Sequence, residues 1–361
     1  MILIATDEAG YGPKLGPLVV TATMWNIDRE TGHDDLGRKF SALSSPVSCQ
    51  GPNGKPTKIK IDDSKAVFKP TSARPASQSI AQANSDNPTQ DAAIPQGLFK
   101  LLAVTQTAGD WINQQSNPPV DDSLNPFSMN CSPADLDALA STPWLSTLNN
   151  EATIPCVSPL ARETLLQAWG TGDVKLLAVK SRVITAQSFN ELCDSGMNKA
   201  DLLASSTLAL VRQMLEDSHS QSTLAASDCI SVYCDRFGGR RYYAGPLQMA
   251  FDGQLVQVID EASGESHYRV PFQKTPFEIR FTVKGDRFTP VAFSSMIAKC
   301  LRELAMESMN EYFASEYSKL HPGEPLKPTA GYPVDADRFL KAIQPVIERD
   351  NLSAFELIRQ R

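Results

Sequence analysis

The chain is poor in the residues that build disulfide and zinc sites. Its seven cysteines include no Cys-x-x-Cys pair, and its four histidines are scattered along 361 residues. An odd cysteine count, with several cysteines inside apolar runs, favours reduced and buried thiols over a disulfide framework. A zinc site needs clustered cysteine and histidine ligands, which this spacing does not supply. These absences favour a reducing compartment, and we expect the cytoplasm.

Long hydrophobic runs and excess positive charge are also missing. No apolar run approaches the roughly 20 residues that cross a bilayer. The first residues show no basic region followed by a small-residue cleavage site, so we expect neither a membrane span nor a signal peptide. The formal net charge of −7 gives no support for broad electrostatic binding of nucleic acid. A local basic surface around an acidic metal centre stays compatible with it.

The most informative stretch is a glycine- and proline-rich link between two apolar runs. Ile2–Thr6 and Leu18–Trp25 are typical of short buried strands, and residues 7–17 between them are typical of a tight turn. Two adjacent carboxylates at the end of a buried strand must be paired or bound to a cation. Because successive strand residues face opposite ways, Asp7 and Glu8 serve one surface only if the chain turns there. A surface hairpin with solvated acids is the simpler alternative.

Composition divides the chain into an α/β domain, an insertion and a tail. Residues 70–96 are rich in Ser, Ala, Gln, Asn and Pro, so burial cannot offset their ordering entropy and we predict disorder. Residues 97–170 carry apolar residues interrupted by prolines, which predicts short helices. Together these two segments form an insertion. Residues 1–69 and 171–342 form the α/β domain, and residues 343–361 form a C-terminal helical tail.

Regular structure is predicted mainly in the second half of the chain. Strand-like apolar runs and helical spacing predict six elements. The strands are expected at Val174–Ile184, Cys229–Cys234, Leu255–Ile259 and Phe277–Val283, and the helices at Phe189–Glu216, in one or two parts with Asn198 as a cap, and at Val291–Tyr317. Strands alternating with helices indicate a mixed sheet.

Acidic residues follow two of the predicted strands. Asp7 and Glu8 follow the first, and Asp235 follows Cys229–Cys234. Because ligands in open α/β sheets gather at the carboxyl ends of strands, these acids converge if the two strands are parallel neighbours. Convergent carboxylates repel one another unless divalent cations lie between them. Oxygen ligands favour Mg²⁺ or Mn²⁺, and two such ions about 4 Å apart hydrolyse phosphodiesters.

Each acid also has an ordinary structural explanation. Asp235 can start the Arg-x-Gly-Gly turn that follows it. In the helix over residues 291–317, Glu303 is a further candidate ligand, and it can instead pair with Lys299 one turn away. Glu307 is the next acid on the same helix face. Spacing alone therefore leaves a phosphoryl-transfer site open beside these alternatives.

Four motifs, in the same order, resemble those of the type 2/type 3 ribonuclease H family (ribonuclease HII/HIII). The first is the Asp-Glu pair with its glycine turn and Gly-Pro strand start, from Asp7 to Val20. The second is Asp63-Ser64-Lys65. The third, Phe293–Lys299, resembles an Ala-Ser-Ile-x-Ala-Lys helix start, and the fourth, Ala330–Pro333, resembles a Lys-Gly-Tyr segment. The resemblance covers about residues 1–69 and 175–342.

The resemblance implies a ribonuclease H-like α/β fold, with a five-stranded mixed sheet flanked by helices and a large irregular or helical insertion. It implies endonucleolytic cleavage of RNA in RNA–DNA hybrids, or at ribonucleotides embedded in duplex DNA, with two Mg²⁺ or Mn²⁺ ions. The cut leaves 3′-hydroxyl and 5′-phosphate ends. We expect a monomer without membrane contact.

Site residues carry over from the resemblance position by position. The catalytic and metal-binding carboxylates are Asp7, Glu8, Asp235 and Glu303, the last standing where type 2 members have Asp. The substrate-binding candidates are Gly10, Tyr11, Gly12, Lys14, Ser64, Lys65, Arg240, Lys299 and Tyr332, with Arg241 as a further phosphate contact. For each basic residue, a solvated charge is the alternative role.

The chain departs from the family at two basic positions. Tyr11 stands where the family usually has Arg or Lys, with Lys14 close enough to substitute, and Ala330 replaces a Lys. These losses, the insertion and the acidic balance support an alternative function. In it, the chain is a catalytically degenerate ribonuclease H-like protein that binds nucleic acid or serves as an interaction module. A metal-dependent phosphatase of another fold ranks last, because it makes the motif order a coincidence.

Overall fold

The computed structural model describes residues 1–27, 36–68, 94–115, 123–220, 229–273 and 275–360. In this part of the chain a seven-stranded mixed sheet has the strand order β5-β2-β1-β6-β9-β8-β7, and β3 and β4 form a separate hairpin. The strands are β1 (Ile2–Ala9), β2 (Leu18–Ile27), β3 (Val47–Gln50), β4 (Pro56–Ile59), β5 (Val174–Ile184), β6 (Ile230–Asp235), β7 (Gln257–Glu261), β8 (Glu265–Val270) and β9 (Phe277–Thr282).

Helices cover both faces of the large sheet. They are α1 (Leu36–Lys39), α2 (Ser41–Ser44), α3 (Ser64–Val67), α4 (Gln96–Gln115), α5 (Pro126–Asn130), α6 (Pro133–Ser141), α7 (Pro159–Trp169), α8 (Ala186–Asp194), α9 (Lys199–Ser220), α10 (Ala244–Ala250), α11 (Thr289–Leu320), α12 (Pro333–Asp350) and α13 (Ala354–Leu357). Among these helices, none combines the length and apolar character needed to cross a membrane.

Strands β1 and β6 are neighbours in the interior of the sheet, and β1 joins its antiparallel and parallel parts. Strand β1 is therefore the reference for the rest of the sheet. It pairs antiparallel with β2 and parallel with β6, which in turn pairs parallel with β9. This confirms the predicted mixed α/β architecture and meets the condition under which the acids of the two strands converge. The sheet has seven strands and not five, because the β7–β8 hairpin continues it beyond β9. Only two apolar residues, Tyr268 and Val270, mark the inward face of β8, so its alternation is too short to be clear in the sequence.

Alternation along β1 divides the core into two layers. Leu3 and Ala5 belong to the layer that includes α4, α7, α11 and α12, whereas Ile2 and Ile4 belong to the layer that includes α8 and α9. At the centre of the first layer, the Trp25 ring lies 5.1 Å from Phe293 on α11, in an edge-to-face contact. Helix α11 therefore lies against β1, on the face to which Asp7 points.

Several predicted elements agree closely with the structure. The helix predicted at Phe189–Glu216 is two helices, α8 and α9, separated at Gly196, whose φ of +99° interrupts the helical path. Asn198 caps α9, since its Oδ1 accepts the amides of Ala200 and Asp201 at 3.0 Å. Helix α11 extends the predicted Val291–Tyr317 at both ends.

The predicted insertion is more ordered in its second part than short helices suggest. Helix α4 runs for 20 residues, and its buried face, including Leu102 and Trp111, joins the same core layer as α11. The predicted disorder over residues 70–96 falls mostly on residues 69–93, which lie outside the described part. The division into domain, insertion and tail stays a prediction.

Candidate active site

Three of the four predicted carboxylates lie at one edge of the sheet. Strands β1 and β6 run parallel with Thr6 beside Cys234, so Asp7 and Asp235 follow at the same level. Asp7 is only 9% exposed. Its pKa is raised well above the usual range, first by burial and then by repulsion from Glu8 and Asp235. The structure thus brings Asp7, Glu8 and Asp235 into electrostatic contact.

Asp7 and Glu8 lie on opposite faces of the strand. Strand β1 continues to Ala9, with Glu8 opposite Val20, so the chain turns after the acid pair and not between its members. Asp7 is hydrogen-bonded to the Ser295 side chain, which favours the ionised carboxylate. Glu8 is on the side of Tyr11, whose pKa is raised by burial and by the Glu8 charge.

Hydrogen bonds from outside the cluster orient two of the acids. The Asp235 Oδ1 accepts the Gly285 amide at 2.8 Å. A Cβ at Gly285 would lie 3.0 Å from the Asp235 Cα, so a side chain there would crowd the β6 backbone. Behind Asp7, the Oγ atoms of Ser295 and Ser64 are 3.0 Å apart, and both side chains are buried. Ser64 therefore reaches Asp7 through Ser295.

Glu303 has a different environment from the other three acids. Its Oε1 lies 2.7 Å from Lys299 Nζ and 3.1 Å from Arg302 Nη1. All three side chains are at most 14% exposed. This is the pairing that the helical spacing of Glu303 and Lys299 permits as the ordinary alternative. A role for Glu303 as a fourth metal ligand stays a prediction.

The chemistry of the acid cluster fits a hard divalent cation, although its arrangement is not that of a ready metal site. Asp7, Glu8 and Asp235 offer only carboxylate oxygens, and a cation between them would relieve the repulsion that raises the pKa of Asp7. In the described ranges, no three His, Cys, Asp or Glu side chains are arranged to hold a metal ion. A cation shared by all three acids therefore requires side-chain movement.

The glycine turn that follows β1 is packed tightly on its inner side. Gly10 has a φ of +90°, and a Cβ there would lie 2.7 Å from Arg302 Nε. The amides of Lys14 and Leu15 both donate to the Gly331 carbonyl, at 2.7 and 3.1 Å. The Arg302 Nη2 also donates to Ala330 O, at 2.9 Å. The two motifs predicted to contact substrate are thus joined to each other.

Aromatic residues lie on both sides of this turn. The Tyr332 side chain is 52% exposed, and its ring lies 3.7 Å from the position that a Cβ on Gly12 would occupy. Tyr11 packs against Gly238, and the Lys199 ammonium lies 4.5 Å from the centre of its ring. A lysine from α9 therefore brings positive charge to the position where Tyr11 replaces a basic residue.

The basic substrate-binding candidates already have acidic or main-chain partners. Lys14 Nζ is 2.5 Å from Asp337 Oδ1, and Arg240 is paired with Asp201. Arg241 donates to the Glu261 carbonyl at 2.6 Å. Lys299 pairs with Glu303, as described above. The side chain of Lys65 lies outside the described part of the structure.

Arg302 and Arg359 were not among the predicted site residues, although both contact the glycine turn. Arg302 is 2% exposed and Arg359 is 3% exposed. The Arg359 Nη2 donates to Gly10 O at 2.7 Å and also to Pro13 O. No periodicity in the sequence indicates that Arg359, far along the chain from the turn, is buried against it. For Arg302 a signal was present, because it directly precedes Glu303, a residue already predicted for the site.

Solved structures similar to the chain include two ribonucleases H. Bst-RNase HIII in complex with Mn²⁺ is 13% identical with a TM-score of 0.37, over 99% of this chain and 66% of that chain. Ribonuclease H2 from Pyrococcus horikoshii OT3 is 12% identical with a TM-score of 0.41, over 99% and 92%. A mutant of Bst-RNase HIII is 14% identical with a TM-score of 0.36, over 95% and 62%.

The matched structures belong to the types of ribonuclease H that the sequence motifs resemble. The chain spans less than two-thirds of the length of the Bst-RNase HIII chains. No protein-family model matches the chain, and no curated protein sequence does. At these identities and TM-scores the likeness says nothing about activity, which we infer only from the residues of this chain.

Proposed function

We propose that this chain is a metal-dependent endoribonuclease of ribonuclease H type. Its substrate is the RNA strand of an RNA–DNA hybrid, or a ribonucleotide embedded in duplex DNA, and it leaves 3′-hydroxyl and 5′-phosphate ends. We further propose that it acts as a monomer. Its seven cysteines are all free thiols, in keeping with a reducing compartment such as the cytoplasm.

The observation that carries the proposal is the acid cluster at the ends of β1 and β6. Burial and two neighbouring carboxylates oppose the ionisation of Asp7. A structure with no use for this cluster would gain by replacing one acid with an amide. The cluster lies two residues before the glycine turn, which in turn contacts the half-exposed Tyr332. Acids, turn and aromatic ring together form a site for a phosphodiester and its sugar.

Each group in the site has a proposed role. Asp7, Glu8 and Asp235 hold Mg²⁺ or Mn²⁺, with Glu303 as a fourth ligand once it leaves Lys299 and Arg302. The bound ions supply charge neutralisation and a lowered pKa for an attacking water. Ser295 stabilises the ionised Asp7 that ligation requires. Gly12 permits close approach of the sugar–phosphate backbone, and Tyr332 packs against the sugar.

The test is cleavage of a labelled RNA–DNA hybrid in Mn²⁺, with a DNA duplex containing one ribonucleotide assayed in parallel. We expect wild-type protein to cut at least one of the two substrates. Asp235→Asn should lose on the order of 10³-fold in rate or more. The matched control is Asp260→Asn, an exposed acid on β7 at the far edge of the sheet, which should cut like the wild type. No cleavage of either substrate by the wild type, or equal cleavage by Asp235→Asn, rejects the proposal.

A second candidate function is nucleic-acid binding without cleavage. The observation that favours it is the pairing of Glu303 with two buried cations, together with the absence of a preassembled three-ligand group in the described residues. A binding module should hold the hybrid with the same affinity in Mn²⁺ and in chelator. The nuclease should bind more tightly in Mn²⁺ when cleavage is blocked in the substrate.

A further inference from the structure

Residues 353–360, which we call the strap, include α13 and end beside the glycine turn that follows β1. Ile358 forms an antiparallel bridge with Leu15. The Arg359 amide donates to the Lys14 carbonyl at 3.0 Å. Main-chain pairing therefore places the strap along residues 14–15.

The Arg359 side chain reaches further into the turn than the main chain of the strap. Its Nη2 donates to the carbonyls of Gly10 and Pro13, so one guanidinium joins both ends of the Gly10–Pro13 segment. The guanidinium carbon lies 5.3 Å from the centre of the Phe189 ring on α8. A planar group with several fixed donors suits two carbonyls better than a single ammonium does.

The strap is held on its other side by one buried asparagine. Asn190 on α8 is fully buried, and its Nδ2 donates to the carbonyls of Phe355 and Ile358 at 2.7 and 2.8 Å. Its Oδ1 accepts the Gln360 amide at 2.7 Å. Three hydrogen bonds from one side chain to main-chain atoms fix the path of the strap before and after Arg359.

A buried arginine at this place is costly to maintain. Burial and the nearby Arg302 guanidinium lower the pKa of Arg359 to about 9. Hydrogen bonds offset only part of its lost hydration, because among the described residues its Nε and Nη1 are buried without a hydrogen-bond partner. The hydrogen bonds from its Nη2 go to carbonyls of the turn that follows Asp7 and Glu8. The free-energy cost of burying this arginine is therefore associated with holding that turn.

We propose that Arg359 is a positioning residue that fixes the Gly10–Pro13 backbone for substrate binding. The inference rests on the proposed function for what the turn binds, namely the sugar–phosphate backbone of an RNA-containing duplex. Arg359 touches neither substrate nor metal. It acts through the carbonyls of the turn, whereas Arg302 packs against Gly10 and the Gly331 carbonyl accepts the amides of the two residues after the segment, Lys14 and Leu15.

The first test is hydrogen–deuterium exchange of residues 10–16 in the substrate-free protein. Arg359→Ala should raise the exchange rate in this segment about tenfold or more, because the loss of two hydrogen bonds lowers the cost of local opening. Arg359→Lys should give an intermediate rate. The matched control is Arg349→Ala, a partly exposed arginine of α12 paired with Glu316 and Asp350, which should leave the segment unchanged.

A second variant covers the case in which Arg359→Ala fails to fold. Asn190→Ala keeps the arginine at position 359 but removes the hydrogen bonds that hold the strap. The looser strap should raise exchange in the same segment. Unchanged exchange at residues 10–16 in a folded Arg359→Ala or Asn190→Ala protein overturns the proposal. Because exchange needs no substrate, this result stands whether or not the wild type cleaves hybrids.

Kinetics on the hybrid provide the functional measurement. If the turn binds the substrate backbone, Arg359→Ala should raise KM about tenfold and change kcat less, since the acids keep their places on β1. Arg359→Lys should recover part of the loss in KM. A fall in kcat with unchanged KM, equal for both variants, overturns the positioning role. A wild type without activity rejects the proposed function alone.

Discussion

The four acids predicted for the site have two opposite electrostatic environments. Asp7 on β1 is buried near Glu8 and Asp235. Its pKa is raised by burial and by repulsion from each of these two carboxylates. Glu303 on α11 is about as buried, yet it lies between the cations of Lys299 and Arg302. We call Asp7, Glu8 and Asp235 the repelling group, because Glu8 and Asp235 both repel the charge of Asp7. Glu303 is the contrasting acid, held between two cations.

The difference separates an acid that the fold needs from an acid for which only the proposed function gives a use. Glu303 neutralises two cations of its own helix, so folding alone accounts for it. Folding alone does not account for an acid at Asp7, because a neutral residue there would relieve the repulsion from Glu8 and Asp235. Under the proposed function, we therefore expect the cation at the repelling group, and we expect Glu303 to join it only at the expense of its ion pairs.

Substitution of Glu303 should have the larger effect on stability and should be destabilising. Glu303→Gln leaves the mostly buried Lys299 and Arg302 without a carboxylate, at a cost of about 2 kcal/mol. Urea denaturation in chelator, followed by circular dichroism, measures the free energy of unfolding. If Glu303→Gln instead stabilises the metal-free protein, Glu303 belongs to the repelling group and the contrast between the two groups disappears.

Substitution of Asp7 should have a smaller effect of the opposite sign. Asp7→Asn removes a repelling charge, so the metal-free protein at neutral pH should gain about 1 kcal/mol in free energy of unfolding. Asp260→Asn, at an exposed position, is the control and should change little. A metal-free Asp7→Asn protein less stable than the wild type at neutral pH would contradict the assignment.

The gain from Asp7→Asn should depend on pH in a defined direction. The pKa of Asp7 in the folded protein is raised above its ordinary value of about 4 in the unfolded chain. At a pH between the unfolded-state and folded-state pKa values, the Asp7 carboxyl is protonated in the folded protein and ionised in the unfolded chain. Stability from this proton is complete below about pH 4 and is lost as pH rises through the folded-state pKa. The stability difference between variant and wild type should therefore grow with pH across this window.

Local sequence pattern predicted the elements that carry the acids. Apolar runs located β1, β2 and β6, and helical spacing located α11, because each of these elements buries a regular set of side chains. The parallel pairing of β1 with β6 was only the condition for the acids to converge, and the structure meets that condition. The elements that carry the acids could be predicted because they depend on period and order.

Contacts between distant parts of the chain could not be predicted in this way. Arg359 is more than 340 residues from Gly10, and the bond between Asp7 and Ser295 joins β1 to α11. Hydrogen bonds of this kind leave no period in the sequence. Strand β8 was missed for a local reason, since Ser266 is polar and only Tyr268 and Val270 are apolar at its inward positions, too few to make the alternation clear.

Calorimetric titration with Mn²⁺ tests most directly whether the repelling acids share a cation. Wild-type protein and Asp260→Asn should bind Mn²⁺ with equal affinity, because the exposed acid on β7 is remote from the cluster. Asp235→Asn should bind at least about 100-fold more weakly, since it removes a ligand from the centre of the site. Absence of Mn²⁺ binding by the wild type, or equal binding by Asp235→Asn, would contradict the assignment of a metal centre to Asp7, Glu8 and Asp235.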